Sequence, residues 1–147
     1  MILAGIDPGL NGALAFGVEL GDSGVIPFAG LTGRDLLRAL RGVKCDRLIL
    51  ERVHAMPAKF RGSSTSWALA EHYGELKMAL SILVIPYEEV LPEKWQATLG
   101  CRFQGCNYTQ RKRKLKDKAQ ALYPYLDVTL ETADALLILE YARRVYK

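Results

Sequence analysis

Residues 1–15, MILAGIDPGLNGALA, decide how this chain is read. Ile2 to Ile6 form an apolar run, too short to span a membrane and suited to a strand buried on both faces. Asp7 closes the run. A carboxylate at the exit of a buried strand is held rigidly, with its oxygens at the mouth of the sheet where a hard cation can bind. A simple turn cap would explain an aspartate here equally well, so the rest of the chain has to decide. Pro8-Gly9 and Asn11-Gly12 turn the backbone sharply, and Ala13 to Val18 can return as an antiparallel neighbour.

Working outward, Gly24 to Phe28 reads as a third short strand. Thr32 caps a helix over Gly33 to Leu40, with Leu36, Leu37 and Leu40 inward, Arg34, Arg38 and Arg41 outward, and Gly42 as its stop. Arg47 to Leu50 is a second buried strand, and it delivers Glu51 at its end as the first strand delivers Asp7. A strand, helix, strand order favours parallel neighbours, which would put both carboxylates on one rim. Arg52 to Ser63 mixes cations with Phe60, a composition suited to phosphates and an unstacked base.

A helix from Thr65 to about Ile82 carries two apolar stripes, Leu69, Tyr73, Leu76 and Leu80 beside Trp67, Ala70, Gly74 and Met78. Such a helix suits two partners, the sheet and a second subunit, although core packing alone would also account for it. Leu83 to Pro86 reads as a strand, with Val90-Leu91 as an extension. Pro92-Glu93 opens a helical turn carrying Trp95. Gly100 to Tyr108 reads as a loop, and Thr109 caps a helix from about Gln110 to Leu122 that Pro124 ends. A last helix, Leu130 to Val145, opens with Glu131 and Asp134 on one face, where acids also suit the helix dipole.

The composition narrows the function. The 147 residues, half of them hydrophobic, suit one domain (1–147) with a proper core. With no long apolar run and no secretory signal order, the expected location is the cytoplasm. Cys45, Cys101 and Cys106 are too few and too scattered for a disulfide scaffold, and a zinc site would need ligands from elsewhere. Free thiols in a reducing compartment are the expectation. The net charge is +4, and the segment 111–118, RKRKLKDK, with six basic residues against one acid, accounts for all of it. A positive field confined to one helix suits a polyanion, although solvated helix faces also carry lysines.

Asp7, Glu51, Glu131 and Asp134 together supply four carboxylates and no histidine. That donor set prefers Mg2+ or Mn2+ to zinc. Two such ions about 4 Å apart can activate water and stabilise a leaving oxygen at a phosphodiester. Nuclease chemistry without a covalent intermediate is the natural use.

The opening LAGIDPGLNGALA, the strand LILERV with its acid, and the late ETADALLILEYARR resemble the RuvC-like Holliday junction resolvases of the RNase H-like superfamily, in order and spacing over nearly the whole chain. The Pro92 to Trp95 PxxW pattern, followed by a lysine-rich helix ending near LYP, looks closest to the short phage or organellar type. The resemblance implies an α/β, RNase H-like fold with a central five-stranded mixed sheet flanked by helices. It also implies a homodimer and Mg2+-dependent paired symmetric nicking of four-way DNA junctions, leaving 5′-phosphate and 3′-hydroxyl ends. Asp7, Glu51 and Asp134 match the family's catalytic, metal-binding acids. Glu131 stands where aspartate is usual, and His54 where an aromatic is often found. DNA contacts are expected from Arg52, His54, Lys59, Phe60, Arg61, Arg111, Lys112, Arg113, Lys114, Lys116 and Lys118, with Lys116 and Lys118 nearest the scissile phosphate.

Other readings are a related nuclease acting on hybrids, flaps or branched DNA, and a non-catalytic branched-DNA-binding protein. An actin-like nucleotide-binding protein shares the opening turn but needs two such lobes, so neither a nucleotide cofactor nor a membrane partner is expected.

Overall fold

The computed structural model describes residues 1–54 and 63–147. Its centre is a five-stranded mixed sheet of β1 (Leu3–Asp7), β2 (Ala13–Gly17), β3 (Gly24–Pro27), β4 (Arg47–Glu51) and β5 (Tyr87–Val90), in the order β3-β2-β1-β4-β5. β1, β2 and β3 pair antiparallel, while β1, β4 and β5 pair parallel. The α-helices of the described residues are α1 (Gly33–Val43), α2 (Ser63–Ile82), α3 (Pro92–Leu99), α4 (Tyr108–Leu122) and α5 (Ala133–Val145). This is the α/β architecture expected from the sequence.

Side-chain alternation along the strands divides the core into two layers. Ala4 and Ile6 of β1, Leu14 of β2, and Leu48 and Leu50 of β4 face Leu36 and Leu40 of α1 and Leu76, Ala79 and Leu80 of α2. Leu3, Ala13, Ala15 and Ile49 face the other way, onto Trp95 of α3, Leu115 and Ala119 of α4, and nearly the whole buried length of α5. Gly5 lets α5 lie directly on β1, because a Cβ there would meet Leu139 N at 2.5 Å and Ala135 O at 2.9 Å. Cys45, Cys101 and Cys106 are free thiols. Among the described residues, no helix is long and apolar enough to cross a membrane.

Several boundaries differ from the sequence expectations, each for a local reason. α1 runs through Gly42 to Val43 and stops at Lys44, which takes the left-handed conformation (φ 51°) that ends helices. Residues Leu83 to Pro86 do not form the strand that their apolarity suggests. Val84 has φ 55° and its N–H closes a turn onto Ser81, so β5 starts only at Tyr87. α4 begins at Tyr108, since Asn107 rather than Thr109 caps it: the Asn107 side chain accepts from Gln110 N at 2.8 Å while the Gln110 side chain accepts from Asn107 N. Thr129 and Thr132 bond reciprocally through hydroxyl and backbone N–H, which holds 129–132 as a turn and delays α5 to Ala133. Lys59, Phe60 and Arg61 lie outside the described residues.

Candidate active site

The alternation that sends Ile6 and Leu50 to one layer sends Asp7 and Glu51 to the other, toward α5. Because β1 and β4 are parallel and in register from Leu3/Arg47 to Ile6/Leu50, the two carboxylates end on the same rim as next neighbours. Asp134 joins them from the first turn of α5, whose position is set by its backbone contact at Gly5.

The electrostatics express this convergence. Burial holds Asp7 well above the usual carboxylate range, and the charges of Glu51 and Asp134 add to the rise against an opposing contribution from Lys112. Burial, followed by Asp134, pushes Glu51 up to about 7, although Trp95 and Lys112 oppose it. The indole Nε1–H of Trp95, wholly buried, donates to Glu51 Oε2 at 2.7 Å and fixes the orientation of that carboxylate. Lys112 Nζ donates to Asp134 Oδ2 at 2.7 Å, and Asp134 Oδ1 is buried with no hydrogen-bond partner among the described residues.

Glu131 occupies the turn before α5, not its first turn as the sequence suggested, and is exposed. It lines a cleft of about 710 Å³ together with Asp7, the Pro8–Gly12 turn, Tyr108 and Lys112. Lys116 and Lys118, expected nearest the chemistry, do not line this cleft; Lys112, one turn earlier, does. Arg111, Arg113 and Lys114 are exposed on the same helix, and Arg52 and His54 are exposed just beyond β4.

Three contributors carry no site role in the sequence reading. Trp95 holds Glu51, as above. Tyr108, mostly exposed at the cleft rim, offers an aromatic face for a base or sugar. His72, buried on α2, accepts the Gly9 N–H on Nδ1 at 3.1 Å and so ties that helix to the turn following Asp7. Spacing carried a signal for Lys112: it lies three and seven residues before the buried Leu115 and Ala119, on the inward face of α4.

The fit to a divalent cation can be tested on the donors themselves. Hard carboxylate oxygens, mutual repulsion between buried charges and an orphaned Asp134 oxygen all suit such an ion. The side chains do not yet form a finished cage, since no three Asp, Glu, His or Cys among the described residues are gathered closely enough to hold a metal. One oxygen of Asp134 is instead taken by Lys112.

Compared with known proteins, this chain matches no protein-family model and no curated protein. Solved structures do match. Thermus thermophilus RuvC in complex with a Holliday junction substrate superposes with a TM-score of 0.65 at 17% identity, over 100% of this chain and 97% of that one. The fold is that of RuvC. A second T. thermophilus RuvC structure gives a TM-score of 0.64 at 16% identity, covering 99% and 97% of the two chains. The Fowlpox virus resolvase, solved with Holliday junction DNA, gives 0.60 at 17% identity and covers both chains completely. A whole-chain match to RuvC at such low identity means that packing, more than shared residues, carries the likeness.

The raised carboxylates have a consequence that needs no substrate. Between the usual carboxylate value of 4.5 and about 7, folded Glu51 keeps a proton that the unfolded chain has released. Raising pH through that window therefore favours unfolding. In EDTA, the melting temperature is expected to fall from pH 5 to pH 8 by more in the wild type than in Glu51→Gln. Equal falls would remove Glu51 as the source.

Proposed function

We propose that this protein is a divalent-metal-dependent endonuclease that resolves four-way DNA junctions. The observation that carries the reading is the proximity of Asp7, Glu51 and Asp134, near enough for their charges to act on one another, with Asp7 lining a cleft bordered by the basic helix α4. The RuvC fold supports it, since structures of that fold were solved with junction DNA.

In this reading Asp7, Glu51 and Asp134 would hold the metal, and Glu131 would reach it from the cleft wall. Magnesium, when bound, supplies Lewis acidity for phosphodiester hydrolysis, and manganese is expected to substitute. The protein's own part is positional and electrostatic. β1 and β4 fix two of the acids on rigid elements, Trp95 orients Glu51, and the apolar layer beneath excludes water. Arg111, Arg113 and Lys114 attract the phosphate backbone, so affinity should fall steeply with salt. Arg52, His54, Lys116, Lys118 and, from the segment outside the described residues, Lys59, Phe60 and Arg61 complete the proposed DNA-contact set.

Paired nicks across a symmetric junction need two sites, and α2 is suited to supply the second copy. Its inner face is buried through His72, Leu76 and Leu80, whereas Trp67 is 74% and Met78 62% exposed, with Ala70 and Gly74 between them. Small residues between large apolar ones allow close approach of a two-fold-related helix. Trp67→Glu with Met78→Glu is expected to turn a dimer into a monomer in light scattering and to uncouple the two nicks. An unchanged mass would move the interface elsewhere.

The deciding assay is Mg2+-dependent cleavage of a synthetic four-way junction mapped on all four strands, beside an RNA–DNA hybrid and a flap. Symmetric nicks on opposed junction strands are expected. Preference for the hybrid or flap would make this a different nuclease of the same fold, and junction binding without turnover in either metal would make it a binding protein.

A further inference from the structure

We propose that Lys112 is an internal counter-ion that competes with the divalent cation for Asp134, so that metal binding and capture of a phosphate backbone are linked through this one side chain. This deepens the nuclease reading above and rests on it.

The ion pair is short and sheltered: Lys112 Nζ lies 2.7 Å from Asp134 Oδ2, and the two side chains are only 22% and 14% exposed. Screening by salt is weak there, so the pair resists disruption more than a surface bridge would. The charge of Lys112 also reaches the other two acids, opposing the rise in both Asp7 and Glu51. Among the described residues it is therefore the cation that balances the cluster. An ammonium is a compact point charge with three donors, and it cannot share one carboxylate oxygen with a doubly charged ion without strong repulsion. A metal that takes Asp134 Oδ2 must displace Lys112, while Asp134 Oδ1, buried and without a hydrogen-bond partner among the described residues, marks the carboxylate as having coordination capacity to spare.

The displaced ammonium has a destination. Lys112 lines the cleft beside Tyr108 and Glu131. A phosphate oxygen lying in that cleft would replace Asp134 as its charge-assisted partner. Backbone binding then frees Asp134 for metal, and by linkage metal binding strengthens backbone binding by the same factor. The exposed Arg111, Arg113 and Lys114 add attraction without this exchange, because among the described residues none of them is in an ion pair with the acids.

The test is Mn2+ titrated into the DNA-free protein by calorimetry and by loss of the free-ion EPR signal. Wild type is compared with Lys112→Met, Lys112→Gln and Lys112→Arg, each checked for a cooperative melt. The neutral variants are expected to bind Mn2+ on the order of tenfold more tightly than wild type, within the usual range of coupling between sites. Lys112→Arg should stay near wild type because it keeps the charge. In a second arm, junction affinity is measured with and without Ca2+: the gain from the ion should be large in wild type and small in Lys112→Met. Folded neutral variants binding Mn2+ no better than wild type, or Lys112→Arg binding as tightly as Lys112→Met, would overturn the competition while leaving the metal site intact. Absence of Mn2+ binding in wild type and neutral variants alike would overturn the metal reading itself, and this inference with it.

Discussion

Asp7→Asn is expected to lower junction cleavage by roughly 10³-fold or more, the scale of losing a group that acts on developing charge, while leaving junction binding measured in EDTA nearly unchanged. The substitution keeps size and removes charge. Asp7 sits at the end of β1 with its carboxylate pushed upward by burial and by Glu51 and Asp134, so the neutral amide relieves a repulsion in the metal-free fold. The melting temperature in EDTA should therefore hold or rise. This pairing of lost turnover with retained or improved stability separates a chemical role from a structural one. Cleavage within tenfold of wild type, or binding lost in step with cleavage, would return Asp7 to the status of a turn residue.

Gly5→Val should be the most damaging single change to the fold. The atoms that a side chain would meet, Leu139 N at 2.5 Å and Ala135 O at 2.9 Å, belong to the α5 backbone and cannot rotate away. The helix would have to lift from β1, at a cost of about 3 kcal/mol, the upper part of the usual range for overpacking a close-packed interior. Because α5 also delivers Asp134, the same displacement would draw that carboxylate away from Asp7 and Glu51. Chemical denaturation measures the first effect, and Mn2+ binding to whatever fraction remains folded measures the second. Gly5→Ala should move both in the same direction by less. A variant as stable as wild type would mean that α5 does not lie directly on β1 at Gly5.

The parts of the site carried by strands were readable from the residues. Asp7 and Glu51 each follow an apolar run, and a run that ends in an acid announces both a buried strand and the rim where it stops. The sheet followed from the same evidence, since a tight hairpin and a helical crossover leave few ways to arrange β1, β2 and β4. What depended on contacts between distant segments was not readable in the same way. The start of α5 was misplaced because the Thr129–Thr132 turn competes with helix geometry through side-chain hydroxyls, which moved Glu131 off the helix. β5 was misplaced because it is an edge strand with Glu88 and Glu89 exposed, polar where a buried strand would be apolar. Among the cations of α4, only the helical phase relative to Leu115 and Ala119 singles out Lys112, and that phase becomes meaningful once α4 is known to lie along α5.

The His72–Gly9 bond gives α2 a second duty. One flank of this helix grips the bend just past the first acid through a single imidazole, and the opposite flank presents Trp67 and Met78 outward. If a second copy seats on the outer flank, as proposed, any tilt it imposes on the helix would reach the bend, so dilution is expected to alter the shape of the acidic rim as well as the proposed pairing.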